Sequence, residues 1–404
     1  MKTIVIAFAF AATLTSFCAS AQETRATEIE RAREQKDLTL TPDEPSKLER
    51  ALVWVQTSSW TNPFLHKGDG WRTRIGAMAP TAGFSIGPEY SRTDLFGGAL
   101  TIRVLAQGSV RQYYRGLVQI SLPKLLDGKA FVDLSAGHRD YASLAYYGPG
   151  PESAKTGRSD YRFEDTSVEL RPGVRPARHL RAGLLGGFTA VNVGPGADSR
   201  YISTDRQFTP ATTPGVDRQG SFWQTGLWAQ YDSRNYGSDA TRGGNYSVQW
   251  SRIRDRTLGV FSFNRLDVDA WHYIPFLNEK RVISVRAASS LTDTAAGQRV
   301  PFYLQPTVGG PDALRGFRSF RFYGNNMAAA SCEYRWEAST ALEVALFADG
   351  GKVFDKRSQL NVHDLETSYG FGFRFKNQRR IALRIDTGFS REGVQVWLRF
   401  NNAF

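Results

Sequence analysis

The sequence predicts an all-β protein: a sixteen-stranded antiparallel transmembrane β-barrel that follows a short, partly helical N-terminal leader. Two observations predict this fold class. Segments that alternate apolar and polar residues recur from about residue 81 to the C-terminus, and no run of about 20 apolar residues lies outside the extreme N-terminus. The mean hydropathy of −0.38 therefore excludes a polytopic helical membrane protein. A barrel can have this value because its inner face is polar.

Residues 1–21 are predicted to form a signal peptide. Lys2 gives a basic start, residues 4–17 are largely apolar, and residues 19–21 read Ala-Ser-Ala, a small-residue cleavage site. Phe17 is bulky where a lipoprotein signal has a small residue, which disfavours lipidation of Cys18. Cleavage after residue 21 leaves a single cysteine in an exported chain, so an internal disulfide is excluded.

Residues 22–80 are predicted to form a periplasmic leader with short helices. Residues 24–36 are charged and helix-prone, and residues 42–55 offer a second helix; a capping-box pattern lies in each. Two interpretations stay open for this segment. It is a solvated leader, or it forms a short plug or an amphipathic helix that touches the barrel.

Residues 81–404 are predicted to form the barrel. The clearest alternation is at the C-terminus, where Val394, Val396 and Leu398 fall on one face. The count of sixteen strands is even, as in bacterial single-chain barrels, and the three long polar connections at 148–159, 194–220 and 310–325 suit extracellular loops. The predicted strands span 82–91, 99–109, 111–122, 129–146, 160–172, 179–193, 221–233, 244–256, 260–275, 281–293, 300–309, 325–337, 342–354, 367–376, 380–390 and 393–403.

One apolar and one polar face also fit a half-solvated soluble sheet, so alternation alone leaves a β-sandwich open. Aromatic residues at predicted strand ends favour the barrel, because aromatic girdles flank the apolar band of a membrane barrel. Outer-membrane barrels resemble one another in ending on an aromatic residue, and Phe400 and Phe404 are the candidate C-terminal signal here. The girdle candidates are Tyr90, Tyr113, Tyr114, Tyr146, Tyr147, Trp271, Tyr273 and Phe276.

The most informative stretch is residues 308–317, Val-Gly-Gly-Pro-Asp-Ala-Leu-Arg-Gly-Phe, in a long predicted loop. The alternating pattern predicts that Glu333 and Asp349, which lie on two neighbouring strands, point into the lumen. Two such carboxylates repel each other unless a cation lies between them. Arg315 suits this role if its loop folds back inside, since its planar fork matches carboxylates.

These residues resemble the C-terminal barrel of the BamA/TamA bacterial surface antigen family. The resemblance implies a sixteen-stranded barrel whose loop-six arginine reaches acidic residues of strands twelve and thirteen. Those residues make up what we call the loop-six lock: Arg315, Gly316, Phe317, Glu333 and Asp349.

Further stretches carry the same resemblance. Residues 231–246 are similar to the family's seventh-strand D-T/S-R-x…P-x-x-G pattern, with Asp232 and Arg234 at motif positions and Ala240 or Thr241 in place of the usual proline. Residues 369–375 and 383–390 resemble the family's penultimate hairpin. The resemblance to the family is good over about 220–404. Over 80–220 only the alternating strand pattern is similar.

The resemblance implies a role in outer-membrane biogenesis, by insertion or translocation of protein or by movement of lipid. The working parts would be the lock and the seam between the first and last strands, near 82–91 and 393–403. The roughly 60 residues before the barrel are too few for a periplasmic POTRA domain, so a barrel-only member is expected. A passive or substrate-selective pore is the alternative, which the polar lumen residues Arg384, Asp386, Gln395 and Arg399 fit equally well.

The sequence gives little indication of metal binding, cofactor binding or catalysis. The five histidines have no metal-ligand spacing and no Cys-x-x-Cys is present, so we expect no metal and no cofactor. No nucleophile lies in an established catalytic motif, so we expect no enzyme and no catalytic residue. The net charge of +12 does not indicate nucleic acid in an exported chain. We predict a monomer in the cell outer membrane. Its expected partners are membrane lipid, lipopolysaccharide and outer-membrane protein clients.

Overall fold

A computed structural model describes residues 69–400 apart from 77, 80, 238, 278, 340, 378 and 379. The predicted signal peptide, all of the leader before residue 69, and Phe404 lie outside the described residues. Phe400 ends the last described strand. In the described part of the chain, no helix is both long and apolar enough to cross a membrane.

The described chain is dominated by one sixteen-stranded sheet, as predicted. Strand order follows the sequence, and every strand pairs antiparallel with the next. The strands are β1 (Gly70–Ile75), β2 (Ser85–Asp94), β3 (Leu100–Ser109), β4 (Tyr113–Leu125), β5 (Ala130–Tyr146), β6 (Ser159–Ala177), β7 (Leu180–Pro195), β8 (Gly220–Asp232), β9 (Gly243–Asp255), β10 (Phe263–Phe276), β11 (Arg281–Asp293), β12 (Asn326–Ser339), β13 (Leu342–Phe354), β14 (Glu366–Asn377), β15 (Arg380–Ser390) and β16 (Gly393–Phe400).

Within the described residues the helical elements are single turns. Two have four residues: α1 (Leu95–Gly98), in which Phe96 and Gly97 have positive φ, and α2 (Thr204–Gln207). Three are 3-10 turns: Lys155–Gly157, Phe302–Leu304 and Arg357–Gln359. All of them lie in connections between strands, so the sheet alone forms the wall.

The number of strands is confirmed, but two assignments behind it are wrong. The predicted strand 300–309 is part of a loop, with a 3-10 turn and a two-residue ladder. It is apolar because Val300 and Phe302 pack in a loop core, not because one face meets lipid. The missing strand is β1, so the sheet begins before residue 81 and the first strand of the seam is not 82–91. Its six residues give too little alternation to stand out.

The alternating faces match the prediction. On β13, Leu346 is 56% exposed on the outer face while its neighbour Phe347 is 5% exposed on the inner face. The outer faces of β16 and β12 carry Val394, Val396, Leu398 and Trp336, all between 46% and 61% exposed. An apolar outer face and a charged inner face are what a lipid-embedded barrel requires.

The long connections gather at one end of the barrel. They are residues 147–158, 196–219 and 294–325, whereas several connections at the other end have five residues or fewer. Between the long connections lies an aromatic core in which Tyr146, Phe302 and Tyr323 are at most 2% exposed. The ring of Tyr146 lies 5.1 Å from that of Phe302 and 4.8 Å from that of Tyr323.

This core corrects part of the girdle prediction. Tyr113, Tyr146 and Tyr147 are at most 3% exposed and pack inward, whereas Tyr114 is 55% exposed on the outer face. The girdle prediction fails at these tyrosines because the long connections cover the inner side of the wall near these strand ends. Burial also raises the pKa of Tyr303 and Tyr323 in the long 294–325 connection, which keeps these phenols neutral.

Candidate functional site

The connection between β11 and β12, residues 294–325, folds back into the barrel; we call it loop six. An antiparallel ladder of two residue pairs joins the two arms of the loop. The apolar residues beside the arginine hold the tip in place, since Leu314 and Phe317 are both 0% exposed. The Phe317 ring lies 5.4 Å from the Phe322 ring, within a small core that includes Val353 of β13.

The tip places Arg315 between the two predicted carboxylates. Its Nη1 donates to Oε2 of Glu333 at 2.5 Å, and its Nη2 and Nε donate to the two oxygens of Asp349 at 2.6 and 3.0 Å. The Asp349 side chain also accepts from the backbone N–H of Arg315. The guanidinium lies 3.4 Å from the centre of the Phe347 ring, which covers one face of this charge.

Loop six can approach the wall this closely because the wall is glycine there. A Cβ on Gly388 of β15 would stand 2.5 Å from the backbone of Arg315. A Cβ on Gly316 would stand 2.6 Å from the Phe389 carbonyl oxygen. Ser390 donates from its hydroxyl to the Gly316 carbonyl at 2.7 Å. Gly316 is therefore required after Arg315, because any side chain there would collide with the barrel wall.

The last strand also contacts the loop. The indole of Trp397 on β16 donates to the Arg315 carbonyl oxygen at 2.7 Å. Arg399, two residues further, donates to Oδ1 of Asp312 at 2.8 Å and to the Pro311 carbonyl at 3.1 Å. The tip of loop six is thus bonded to β12, β13, β15 and β16.

Glu333 forms ion pairs with more than one arginine. Arg374 of β14 lies 2.7 Å and Arg384 of β15 lies 3.2 Å from the same Glu333 oxygen that binds Arg315. Asp386, fully buried, accepts from Nε of Arg384 at 2.6 Å and lies 3.6 Å from Arg374. Buried carboxylates and guanidiniums alternate here, so each charge has a counter-charge.

The motif residues Asp232 and Arg234 lie elsewhere. They pair with each other, Arg234 donating to both Asp232 oxygens at 2.9 and 2.8 Å. Together they shape the connection between β8 and β9, residues 233–242. That turn enters the lumen, where Ala240 is 2% exposed.

The same turn joins the charged network from the opposite end of the barrel. Asp239 lies 3.0 Å from the Lys376 ammonium, and the Ala240 carbonyl accepts from Arg335 at 2.6 Å. Lys376 in turn binds Glu343 at 2.8 Å, and Arg335 lies 3.4 Å from Glu343. The network therefore runs from loop six to the β8–β9 turn.

A second buried arginine of loop six was not predicted. Arg321 is 1% exposed and donates from Nε to both oxygens of Glu392, in the β15–β16 turn, at 2.8 and 3.0 Å. Its other nitrogens bind Ser153, in the β5–β6 connection, at 2.9 and 2.6 Å. Arg321 thus ties loop six both to the last hairpin and to a distant loop.

The first strands hold a separate charged cluster. Glu89 of β2 is 0% exposed and pairs with Arg72 of β1 and, at 2.6 Å, with Arg103 of β3. Arg74 lies 3.8 Å from the second Glu89 oxygen. This cluster fastens the short β1 to its neighbours through its inner face.

The sequence could have indicated part of what was missed. Arg374 alternates inward with the glycines of β14. Arg384, Asp386 and Arg399 were predicted in the lumen, where they fit a pore as well as a biogenesis barrel. The structure instead places them around loop six. Asp239 and Arg321 carry no sequence signal, because their partners lie far along the chain.

The arrangement is a network of buried ion pairs, although some of its atoms, such as Oδ1 of Asp386, accept no hydrogen bond. No cluster of three metal-ligating side chains occurs within the described residues. What the network can do is hold loop six against four strands, or release it when those pairs are disturbed.

Comparison with known proteins finds one matching family model and several similar solved structures. The model of the Omp85 superfamily domain matches residues 94–400. Among solved structures, the chain is similar to BamA from Haemophilus ducreyi lacking POTRA domains 1–3, with a TM-score of 0.59 at 13% identity, over 86% of this chain and 77% of that one. It is also similar to CdiB from Escherichia coli, with a TM-score of 0.55 at 15% identity, over 83% of this chain and 62% of that one.

These likenesses concern the fold alone, and the chain spans under two thirds of the CdiB chain. No curated protein matches it in sequence. The family model, however, covers three quarters of the residues, from α1 and β3 to β16, including loop six and all of its partners. The chain belongs to the Omp85 superfamily.

Proposed function

We propose that this protein is an outer-membrane barrel that acts in membrane biogenesis, inserting or translocating protein clients or moving lipid. The observation that carries the proposal is the contact of loop six with the last hairpin. Arg315, clamped by Glu333 and Asp349, is bonded through its carbonyl oxygen to Trp397 of β16. The position of the loop is therefore coupled to one side of the β1–β16 seam.

The terminal strands suit a seam that opens. Within the described residues, β1 has six residues, fewer than any other strand of the sixteen-stranded sheet. Short strands offer few backbone hydrogen bonds, and an exposed strand edge is a template for another chain. A client strand would pair with this edge by β-augmentation.

The proposed orientation follows from the connections. Outer-membrane barrels have short periplasmic turns and longer extracellular loops, so the end with loop six would face outward. The segment before residue 69 would then lie in the periplasm after removal of a signal peptide at residue 21. The role is non-enzymatic, and we propose a monomer.

Depletion of the protein in its host, followed by proteomics of the envelope, tests the role. We expect the levels of other outer-membrane barrels to fall several-fold, or the lipid asymmetry of the outer membrane to be lost, while periplasmic proteins remain. Unchanged barrels and unchanged lipid asymmetry would contradict the proposal.

A seam disulfide tests the mechanism in the same strain. A small panel of cysteine pairs joins β1, at Thr73 or its neighbours, to β16, at Val396 or its neighbours, in a Cys332→Ser background. A pair that cross-links is expected to abolish function when oxidised and to restore it when reduced. A cross-linked protein with full function would exclude seam opening.

The second candidate, a pore, is favoured by one observation. A cavity of about 590 Å³ lies against the inner faces of β5 to β12, lined by polar groups that include Arg171, Asp267 and Arg286. A steady open conductance in planar bilayers would favour the pore over biogenesis.

A further inference from the structure

The outer face of β7 to β9 carries an unusual combination of side chains near the end with the long connections. Arg252 and Arg254 of β9 point outward and are exposed, and Arg256 follows in the β9–β10 connection. Among the described residues, none of these three guanidinium groups has a carboxylate within ion-pair distance, although other exposed arginines at this end do have one. Arg162, for example, binds both oxygens of Asp140 at 2.8 and 2.6 Å.

On the same face, aromatic and aliphatic residues lie beside these arginines and toward the middle of the barrel. Trp223 of β8 lies opposite Arg254 in the sheet register, and Leu227 lies opposite Trp250. Trp223 is 49% and Trp250 is 42% exposed, and the Phe188 ring of β7 lies 5.1 Å from the Trp223 ring. The Arg256 guanidinium lies 6.0 Å from the centre of the Trp223 ring. Trp223 is therefore level with Arg254, while Leu227 and Trp250 lie closer to the middle of the barrel than all three arginines.

We propose that this surface, made of Phe188, Trp223, Leu227, Trp250, Arg252, Arg254 and Arg256, binds the phosphorylated sugar headgroup of an outer-leaflet glycolipid of the lipid A type. The inference rests on the outer-membrane location and the orientation proposed above, but not on the biogenesis activity.

Three arguments lead to this ligand. Guanidinium groups without carboxylate partners at the depth of the headgroups have phosphate as their natural counter-ion, which they bind with a two-pronged fork. Tryptophans at that depth place their rings at the interface, and the aliphatic residues below meet acyl chains. The three arginines extend over about 13 Å along the strand direction, a width that suits two phosphates on a sugar scaffold better than one phosphodiester.

The test uses the full chain folded in detergent micelles, with lipids added as probes and retention measured by native mass spectrometry. The probes are diphosphoryl lipid A, its monophosphoryl form and phosphatidylglycerol. Wild-type protein is expected to retain diphosphoryl lipid A about tenfold more strongly than R252Q/R254Q/R256Q does, since each cation near anionic headgroups contributes to binding. Phosphatidylglycerol is expected to be the weakest probe on wild type.

The control is R162Q/R200Q/R391Q, which removes three exposed arginines that already have carboxylate partners in Asp140, Asp198 and Glu366. It is expected to retain lipid A like wild type. Equal loss in both triple variants, or equal retention of lipid A and phosphatidylglycerol by wild type, would overturn the proposal. If the first triple variant does not fold, R254Q alone is measured, with an expected loss of about threefold; no loss would then overturn it.

Discussion

At the scale of single residues, Arg315 is a planar fork that meets two carboxylates on different strands. A lysine at this position has one point charge and cannot reach Glu333 and Asp349 along separate directions. The environment is buried, since the Asp349 side chain is 0% exposed. Removing one partner of a buried ion pair costs more than the pair contributes, because a bare charge remains in a poorly solvated place.

We therefore expect Arg315→Ala to lower the free energy of unfolding by about 3–5 kcal/mol, or to block assembly of the barrel. Arg315→Lys should lie between this variant and wild type. The double change R315A/D349N should recover part of the loss, because no other cation of the described chain lies within ion-pair distance of Asp349, whereas Glu333 keeps Arg374 and Arg384. The temperature at which the folded band disappears on semi-native gels measures the effect. Arg162→Ala, which breaks an exposed pair, is the control and should cost under about 1 kcal/mol. Wild-type heat resistance of Arg315→Ala would refute the explanation.

At the scale of elements, loop six and the last hairpin behave as one interface. The backbone of the loop lies against Gly388 of β15, which pairs with Gly370 of β14. A Cβ on either would collide with backbone within 2.5 Å. Arg321 adds a second attachment at Glu392, so both ends of the hairpin's inner face hold the loop.

Gly388→Val tests this docking. The added side chain should displace Arg315 and Gly316 from the wall while the outer face of β15 is unchanged. The expected result is a folded barrel whose loop six becomes accessible to protease and whose thermal stability falls by about as much as for Arg315→Ala. Gly186→Val on β7 is the matched control, because nothing lies within 4 Å of its Cβ position. Protection of loop six in Gly388→Val would contradict the proposed contact.

At the scale of the whole molecule, the barrel is obstructed from both ends. The aromatic core between the long connections covers one end, and the β8–β9 turn enters from the other, held by Lys376 and Arg335. The net charge of +12 does not mark an acidic partner by itself. Many arginines are used inside, where they neutralise carboxylates such as Glu89, Glu333 and Asp386.

The obstruction leads to a prediction for conductance. Wild-type protein in planar bilayers should stay mostly closed, with brief openings at most. Phe302→Ala removes a fully buried ring from the aromatic core, which typically costs about 3–5 kcal/mol, and should increase the open time several-fold. Leu360→Ala, at a half-exposed site in the β13–β14 connection, should behave like wild type. A large steady conductance of wild type would instead support the pore.

Part of the lock could be predicted because it depends on alternation. Glu333 and Asp349 were assigned to the lumen from their neighbours, and Arg315 from the need for a cation between them. The pairing of Arg374 and Arg384 with Glu333 could not be derived, because alternation gives the face of a residue and not its height along the barrel. Asp239 and Arg321 were missed for a simpler reason: they lie in connections, where no periodicity constrains them.

The sequence by itself determined the fold class, the number of strands and the face of most strand residues, because a half-buried strand repeats every two residues. It did not decide which apolar segments are strands, as residues 300–309 and β1 show, since a segment buried in a loop core is as apolar as one that faces lipid. Only the tertiary structure decided that loop six enters the lumen, that Gly388 of β15 makes room for it, and that the β8–β9 turn meets the same charged network. These contacts join residues up to more than one hundred positions apart, and their energies depend on distances that no local pattern records.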